Sequence, residues 1–364
     1  MLRHMAFTYN VIASEIIPAD PLIHPSSFIL VIIHRMYLIT GSTGFIGRAL
    51  VRHLFEMEIP VRTLIRPSPR TPRLPTGVPL EVAVSSLADP RGLRAAMGGI
   101  DTIIHLASAE GHGKQGDLLA TDIHGTRNLA EAAADAGVKR IVYISHLGAD
   151  RMSAFPVLKA KGIAEEHIRR SGVPHTILRS SVVFGPEDRF TIPLSRLIRS
   201  APGLFPLPGG GRAVVQPLWV EDLVTCILWA VDNPEMANQT YEIGGSEYFP
   251  LSQVAEILME TTRHRRSIVS LSMPNMRALL IMLDAMIPSF PFSSFALDYV
   301  SLNRTCPVDN LTRAFGLMPA RFTYRLDYLR RTPWTERLSR WTTVQSKKYA
   351  EKLRERFPSL RPPE

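Results

Sequence analysis

Residues Met36–Gly47 read MYLITGSTGFIG and constrain the fold of this 364-residue chain more than any other stretch. Tyr37, Leu38 and Ile39 form a short apolar run of the kind that fills a buried strand. Thr40 leads into three glycines, Gly41, Gly44 and Gly47, spaced TGxxGxxG around Ser42, Thr43, Phe45 and Ile46. Ile46, Leu50 and Leu54 then recur every four residues, and Val51 and Phe55 widen the stripe, so the spacing predicts a helix. Strand, glycine turn and helix in this order point to a dinucleotide site. The first glycine tolerates positive φ, the second lets backbone approach a pyrophosphate, and the third lets the helix pack on the strand. The helix N-terminus presents unpaired N–H groups and a positive dipole end to the phosphates. The competing interpretation is a turn that only shapes the fold.

Further strands are predicted over Pro60–Arg66, Leu80–Val84, Asp101–Leu106, Val138–Ser145 and Pro174–Arg179. Helices are predicted over Leu93–Met97, Asp117–Ala136 and Val157–Ser171. The alternation implies an α/β, Rossmann-type, doubly wound parallel sheet with helices on both faces. Beyond Gly185 it weakens: helices at Val220–Val231 and Leu251–Thr261 flank a strand at Gln239–Ile243, and Met273–Arg330 reads as mainly helical. We expect a dinucleotide-binding domain over 36–185 with returning elements from 213–245, a smaller, mainly helical C-terminal lobe over 186–330, and a basic tail over 331–364. Residues 1–35 carry Pro18, Pro21 and Pro25 without a helical period and read as a disordered extension, with an extra edge strand as the rival.

An acid at the end of the second strand would take ribose hydroxyls. Here the strand ends in Arg66, with Arg62 inside it and Arg70 and Arg73 in the proline-rich loop beyond. A guanidinium forks onto a 2′-phosphate, so NADP(H) is favoured and NAD(H) is the alternative. Solvated loop arginines are the bland explanation.

The formal charge is +9, but Arg321–Glu364 alone holds twelve Lys/Arg and five Asp/Glu, a net of +7. The excess sits in the tail, and no nucleic-acid-binding signature accompanies it. An acidic membrane surface or protein complex is the partner such a tail would meet. Two distant cysteines, Cys226 and Cys306, suggest a reducing, cytoplasmic setting, peripheral to a membrane if the tail engages one, and no metal site. The longest apolar run, Ala278–Phe290, contains Asp284 and Pro288, is shorter than the roughly 18 residues of a membrane span, and reads as a buried helix rather than a lipid-facing one.

Taken together, ITGSTGFIG (Ile39–Gly47), IIHLAS (Ile103–Ser108), HGTRNLAEAA (His124–Ala133), GVKRIVYIS (Gly137–Ser145), ILRSSVVFGP (Ile177–Pro186) and QPLWVEDLV (Gln216–Val224) resemble the extended and atypical short-chain dehydrogenase/reductases. GVKRIVYISHLGAD and LKAKGIAEEHIRRSG are most similar to the group that includes the nucleotide-binding accessory subunit of respiratory complex I and its bacterial relatives. The resemblance implies cofactor contacts from Ser86, Leu87, Leu106, Ala107, Ser108, Val182 and Val183 besides the glycine turn. The family's usual dimer forms through helices bordering the sheet, and the sequence itself is silent on oligomeric state.

Active members use a Ser, a Tyr and a Lys. The resemblance assigns Ser145 to the first role and Lys159 to the last, where the Lys also bonds the nicotinamide ribose. The position four before Lys159 is Phe155, and a phenyl ring carries no proton to give or take. His146 next to Ser145 reads as a loop histidine, with a helper role as the sharper reading. Two functions follow. One is a dinucleotide-holding protein with a structural, assembly or sensing role in a respiratory or other membrane-associated complex. The other is an NADP-dependent reductase, epimerase or dehydratase acting on a sugar nucleotide or lipid-like carbonyl compound.

Overall fold

Strand side chains alternate between two faces, and here both faces are covered. The computed structural model describes residues 36–68, 74, 80–110, 116–286, 297 and 302–330. The N-terminal extension, Arg70, Arg73, residues 287–290 of the apolar run and the basic tail lie outside the described residues. Seven strands, β1 (Tyr37–Thr40), β2 (Val61–Ile65), β3 (Glu81–Val84), β4 (Thr102–His105), β5 (Arg140–His146), β6 (His175–Ser180) and β7 (Gln239–Ile243), form one sheet. Its order is β7-β6-β5-β4-β1-β2-β3, with every pair parallel. The chain runs outward from β1 to β3, then returns to the other side of β1 as β4. That reversal opens a crevice at the C-terminal ends of β1 and β4.

On one face Ile39, Ile104, Val142 and Leu178 pack against Leu50 and Leu54 of α1 (Phe45–Glu56), and against Leu223 and Ile227 of the helix at Val220–Asp232. On the other, Leu38, Ile103, Ile141 and Ile177 meet Leu93 of α2 (Pro90–Ala96), Leu129 of α3 (Gly125–Asp135) and Ile168 of α4 (Pro156–Arg170). Asp89 caps α2, accepting from the Arg91 N–H. A π-helical turn, Leu119–His124, precedes α3.

A separate apolar cluster gathers Phe184, Phe190, Phe205, Leu207, Phe249 and Phe322. Three two-stranded sheets frame it: Leu204–Pro208 with Ser267–Leu271, Val183–Phe184 with Leu218–Trp219, and Val214–Val215 with Phe249–Pro250. Sequence patterning missed them because they are short and carry Pro206, Pro208 and Pro250. Within Met273–Arg330 the described residues are less helical than expected: one long helix, Met273–Met286, then only the short helix Asn310–Phe315 and 3-10 turns. The long helix buries Met276 and Leu280 but leaves Ile281, Met282 and Met286 exposed, so the expectation of a wholly buried helix is corrected.

A buried carboxylate fastens α4 to the sheet. Glu165 is fully buried. Its oxygens accept from Arg179 Nε and Nη2 at 2.9 and 2.8 Å, from Arg169 Nη2 at 2.9 Å and from the Ser145 hydroxyl at 2.6 Å. Burial favours the neutral acid, but the hydrogen bonds from Arg179 and Ser145 outweigh it and hold the carboxyl below its ordinary range. A group with a depressed folded pKa stabilises the fold above its unfolded pKa, near 4.3, and the contribution is lost as pH falls through the folded value. Glu165→Gln is therefore expected to cost about 3 kcal/mol at neutral pH, because Arg179 loses its partner. In melts followed from neutral to acid pH, the gap between variant and wild type should narrow below about pH 4; a constant gap would refute the linkage.

Candidate functional site

The turn between β1 and α1 lies at the crevice. Gly41 has φ +75°, and a Cβ there would sit 2.7 Å from the Ala107 nitrogen, so β1 approaches the end of β4 this closely only through a glycine. Gly47 faces the turn from α1, where a Cβ would lie 2.3 Å from the Gly41 oxygen. At Gly44, among the described residues, an added Cβ would meet only that same oxygen, at 3.1 Å. No side chain caps α1, and Ser42 Oγ is buried without a hydrogen-bond partner. A bare glycine, an uncapped helix start and an orphaned hydroxyl fit a diphosphate. Thr43, Phe45 and Ile46 surround them, half-buried.

Behind the turn runs a polar relay. The Ala107 N–H donates to Thr40 Oγ1 at 3.3 Å, and the His105 ring bridges two hydroxyls, with Nδ1 2.6 Å from Thr40 Oγ1 and Nε2 3.0 Å from Thr126 Oγ1. Burial, reinforced by Lys161, pushes His105 down to about 3, so the ring is neutral, with one nitrogen donating and the other accepting.

Arg66 is exposed just past β2. Arg62 is committed elsewhere: it pairs with Glu81 at 2.7 Å and donates to the carbonyls of Ala96 and Gly98. Past β3, the Ser86 hydroxyl accepts from the Ala88 N–H at 3.2 Å, and Asn128 donates to the Leu87 carbonyl at 3.0 Å. Leu106, Ala107 and Ser108 follow β4, each half-buried. Val183 is also half-buried, whereas Val182 is buried in the C-terminal cluster and its carbonyl is taken by Leu218 N–H.

The C-terminal ends of β4 and β5 carry a charged cluster. Lys161, 4 % exposed, lies 3.4 Å from Asp122 Oδ1 and 5.2 Å from the centre of the Tyr143 ring. Asp122 comes from the π-helical turn and also accepts from the Ala109 N–H at 2.8 Å. Burial alone would discharge Lys161, but the Asp122 and Glu110 carboxylates outweigh it and its pKa is raised. Burial likewise raises Tyr143, so the phenol stays protonated. His146, read from sequence as a loop residue, is buried at the end of β5, with Nε2 2.6 Å from Glu110 Oε2. Burial disfavours the Glu110 carboxylate, yet His146, Lys161 and Arg304 hold it ionised, well below the usual range.

Residues 41–189 match a family model described as NAD(P)H-binding. The chain is 32 % identical over 258 residues to the mitochondrial NADH dehydrogenase [ubiquinone] 1 alpha subcomplex subunit 9 of Arabidopsis thaliana, covering 69 % of this chain and 64 % of that protein. It is 26 % identical to the NAD(P)H azoreductase of Xenophilus azovorans, over 61 % of this chain and 72 % of that one. The fold matches the NADPH-dependent quinone oxidoreductase of Escherichia coli solved with NADPH, with TM-score 0.65, 20 % identity, and coverage of 81 % of this chain and 99 % of that one. Residues 41–189 form an NAD(P)H-binding domain, and the likeness to the complex I subunit supports placement in the atypical short-chain dehydrogenase/reductase group. It spans less than two thirds of the Arabidopsis relative's length.

In this chain the Ser–Lys pair that the resemblance assigns does not converge. Ser145 is fully buried, its hydroxyl committed to Glu165. Lys159 is exposed. Lys161 lies two residues, about 200°, further round α4, and it is the lysine that faces the sheet. The residue four before Lys161 is Val157, buried like its neighbour Leu158, while Phe155 stands just outside the helix as its N-cap. The signal that would have found Lys161 is the helical period itself: Val157, Leu158, Lys161, Ala164, Glu165 and Ile168 share the buried face. Asp122 and Glu110 left no such signal. Among the described residues, no group of His, Cys, Asp and Glu could hold a metal ion.

Removing Lys161 strands Asp122. Lys161→Met should cost about 3–5 kcal/mol, and Lys161→Met with Asp122→Asn should recover part of that loss. Lys159→Met should leave the unfolding free energy within about 0.5 kcal/mol of wild type. Thermal melts of the three variants decide this, and equal losses from the two single variants would refute it.

Proposed function

We propose that this chain holds NADP(H) as a resident dinucleotide and serves a structural or assembly role in a membrane-associated complex of respiratory type, without turning substrate over. The observation that carries the reading is the missing phenol. Phe155 and Val157 stand four residues before the two candidate lysines, and Tyr143 is buried beneath Lys161. The likeness to the complex I subunit supports the assembly role. In this reading the glycine turn takes the diphosphate, Arg66 the 2′-phosphate, and Lys161 replaces Lys159 at the nicotinamide end. Residues 186–330 then form the lobe that covers that end or meets a partner.

A reductase is the second reading. The azoreductase likeness and the retained buried lysine favour it.

Fluorescence titration with NADPH and NADH separates the claims. NADPH should bind more tightly, and Arg66→Ala should weaken it by about 10- to 100-fold, the loss of charge-assisted hydrogen bonds worth about 1.5–3 kcal/mol, while leaving NADH unchanged. Incubation with NADPH and a quinone, an azo dye or an aldehyde should leave the absorbance of reduced cofactor unchanged. Steady oxidation would establish the reductase instead, and failure to bind either nucleotide would overturn both readings.

A further inference from the structure

The segment that follows β6 returns to the glycine turn. Gly185 packs on the start of α1: a Cβ there would lie 2.7 Å from Val220 Cγ1 and 3.3 Å from Phe45 Cζ. Two residues on, Glu187 pairs with Arg48 of α1, its Oε2 accepting from Nε at 2.8 Å and lying 2.5 Å from Nη2. Arg48 Nη1 also donates to the Thr43 carbonyl at 2.6 Å, so the pair sits on the rim of the turn. Asp188 fixes the course of the segment from inside. Buried, it accepts from the N–H groups of Gly185, Phe190 and Ile192 at 3.0, 3.1 and 3.0 Å. It accepts as well from the hydroxyls of Thr191 at 2.6 Å and Tyr328 at 3.0 Å.

Arg189 is the side chain that this framework presents. Its neighbours Asp188 and Phe190 are buried, while Arg189 is exposed. Among the described residues it makes no hydrogen bond or ion pair. Partial burial lowers its pKa; Glu110, past the end of β4, opposes that shift, and Arg48, past the glycine turn, adds to it. The charged groups that act on Arg189 thus come from the two rims of the crevice. Glu110 is already engaged, with His146 2.6 Å away and Lys161 and Arg304 also acting on it. The guanidinium stays charged, as arginine does in proteins.

The cradle lacks what this residue carries. A dinucleotide diphosphate bears two negative charges, and Gly41–Gly47 contains no charged side chain. The uncapped start of α1 supplies about half an elementary charge. Ser42 Oγ, in a residue 1 % exposed and without a hydrogen-bond partner, adds one neutral donor. Arg48 comes next in the chain, but Glu187 offsets its charge. The turn by itself leaves most of the dianion unmet. We propose that Arg189 is the counter-ion of the dinucleotide diphosphate, closing the cradle from the segment that follows β6. The inference rests on the reading that this chain holds NADP(H). A guanidinium fork suits two phosphate oxygens. The diphosphate is common to NADPH and NADH, so Arg189 sets affinity for both, whereas Arg66 chooses between them.

The test is fluorescence titration of the full-length protein with NADPH and with NADH. Arg189→Gln should weaken both by about 10- to 100-fold, the effect of losing charge-assisted hydrogen bonds. It should also flatten the fall of NADPH affinity between about 0.1 M and about 1 M salt, because the charge that salt would screen is gone. Arg189→Lys keeps the charge without the fork and should recover part of the loss. Both variants should melt close to wild type, because the side chain is exposed and makes no contact that the fold needs. Wild-type protein that binds neither nucleotide defeats the reading on which the inference rests. Wild-type protein that binds NADPH no more tightly than Arg189→Gln does overturns the inference alone. A loss confined to NADPH would place Arg189 on the 2′-phosphate and overturn it as well.

Discussion

Everything at the site depends on how closely β1 approaches β4 at Gly41. The Ala107 nitrogen and the Leu106 carbonyl carbon leave no room for a side chain there, and Gly47 repeats the condition from the helix side. These two contacts fix the angle at which α1 leaves the sheet. They aim an uncapped helix start at the crevice where the strand order reverses. The Thr40–His105–Thr126 relay stands directly behind and satisfies the polar groups that so close an approach buries. A neutral histidine suits that position because it donates on one side and accepts on the other, and burial keeps it neutral.

The sheet also carries two buried charge clusters on α4, and they divide the polar side chains between them. Glu165 draws in Arg179, Arg169 and Ser145; Lys161 draws in Asp122 and lies over Tyr143. Residues 161 and 165 are one turn apart, so one face of one helix presents both signs of charge to the sheet. The arrangement has a chemical consequence. A serine whose proton is given to a buried carboxylate is not available to orient a substrate oxygen, and a phenol buried under an ammonium has no route to a reacting atom.

The doubly wound sheet was legible because its signals are strong: apolar strands, a glycine turn, and helices with a clear period. Each of the first six strands begins within two residues of its expected start. What was missed has physical reasons. The motif resemblance singles out Lys159, whose side chain the helical period turns to solvent, while the same period turns Lys161 to the sheet. The Glu110–His146 pair joins residues 36 apart and follows only from β4 lying beside β5. The small sheets of the C-terminal region have strands of two to five residues, too short for alternation to show. Ala278–Phe290 looked buried because hydropathy registers apolar content, not which side of a helix finds a partner.

Binding and chemistry reside on different elements of this fold, and that separation makes a cofactor-holding protein physically accessible. The dinucleotide cradle is backbone geometry between β1, α1 and β4, enforced by glycines that no other residue can replace. The proton-transfer group of an active relative would come from the start of α4. A phenol there contributes little to packing, because its hydroxyl has to face the reacting centre rather than the core. Val157 is buried between α4 and the sheet with no polar atom to satisfy, whereas Phe155 stands outside the helix as its N-cap. Loss of the glycine turn would instead force β1 and β4 apart and take the core with it.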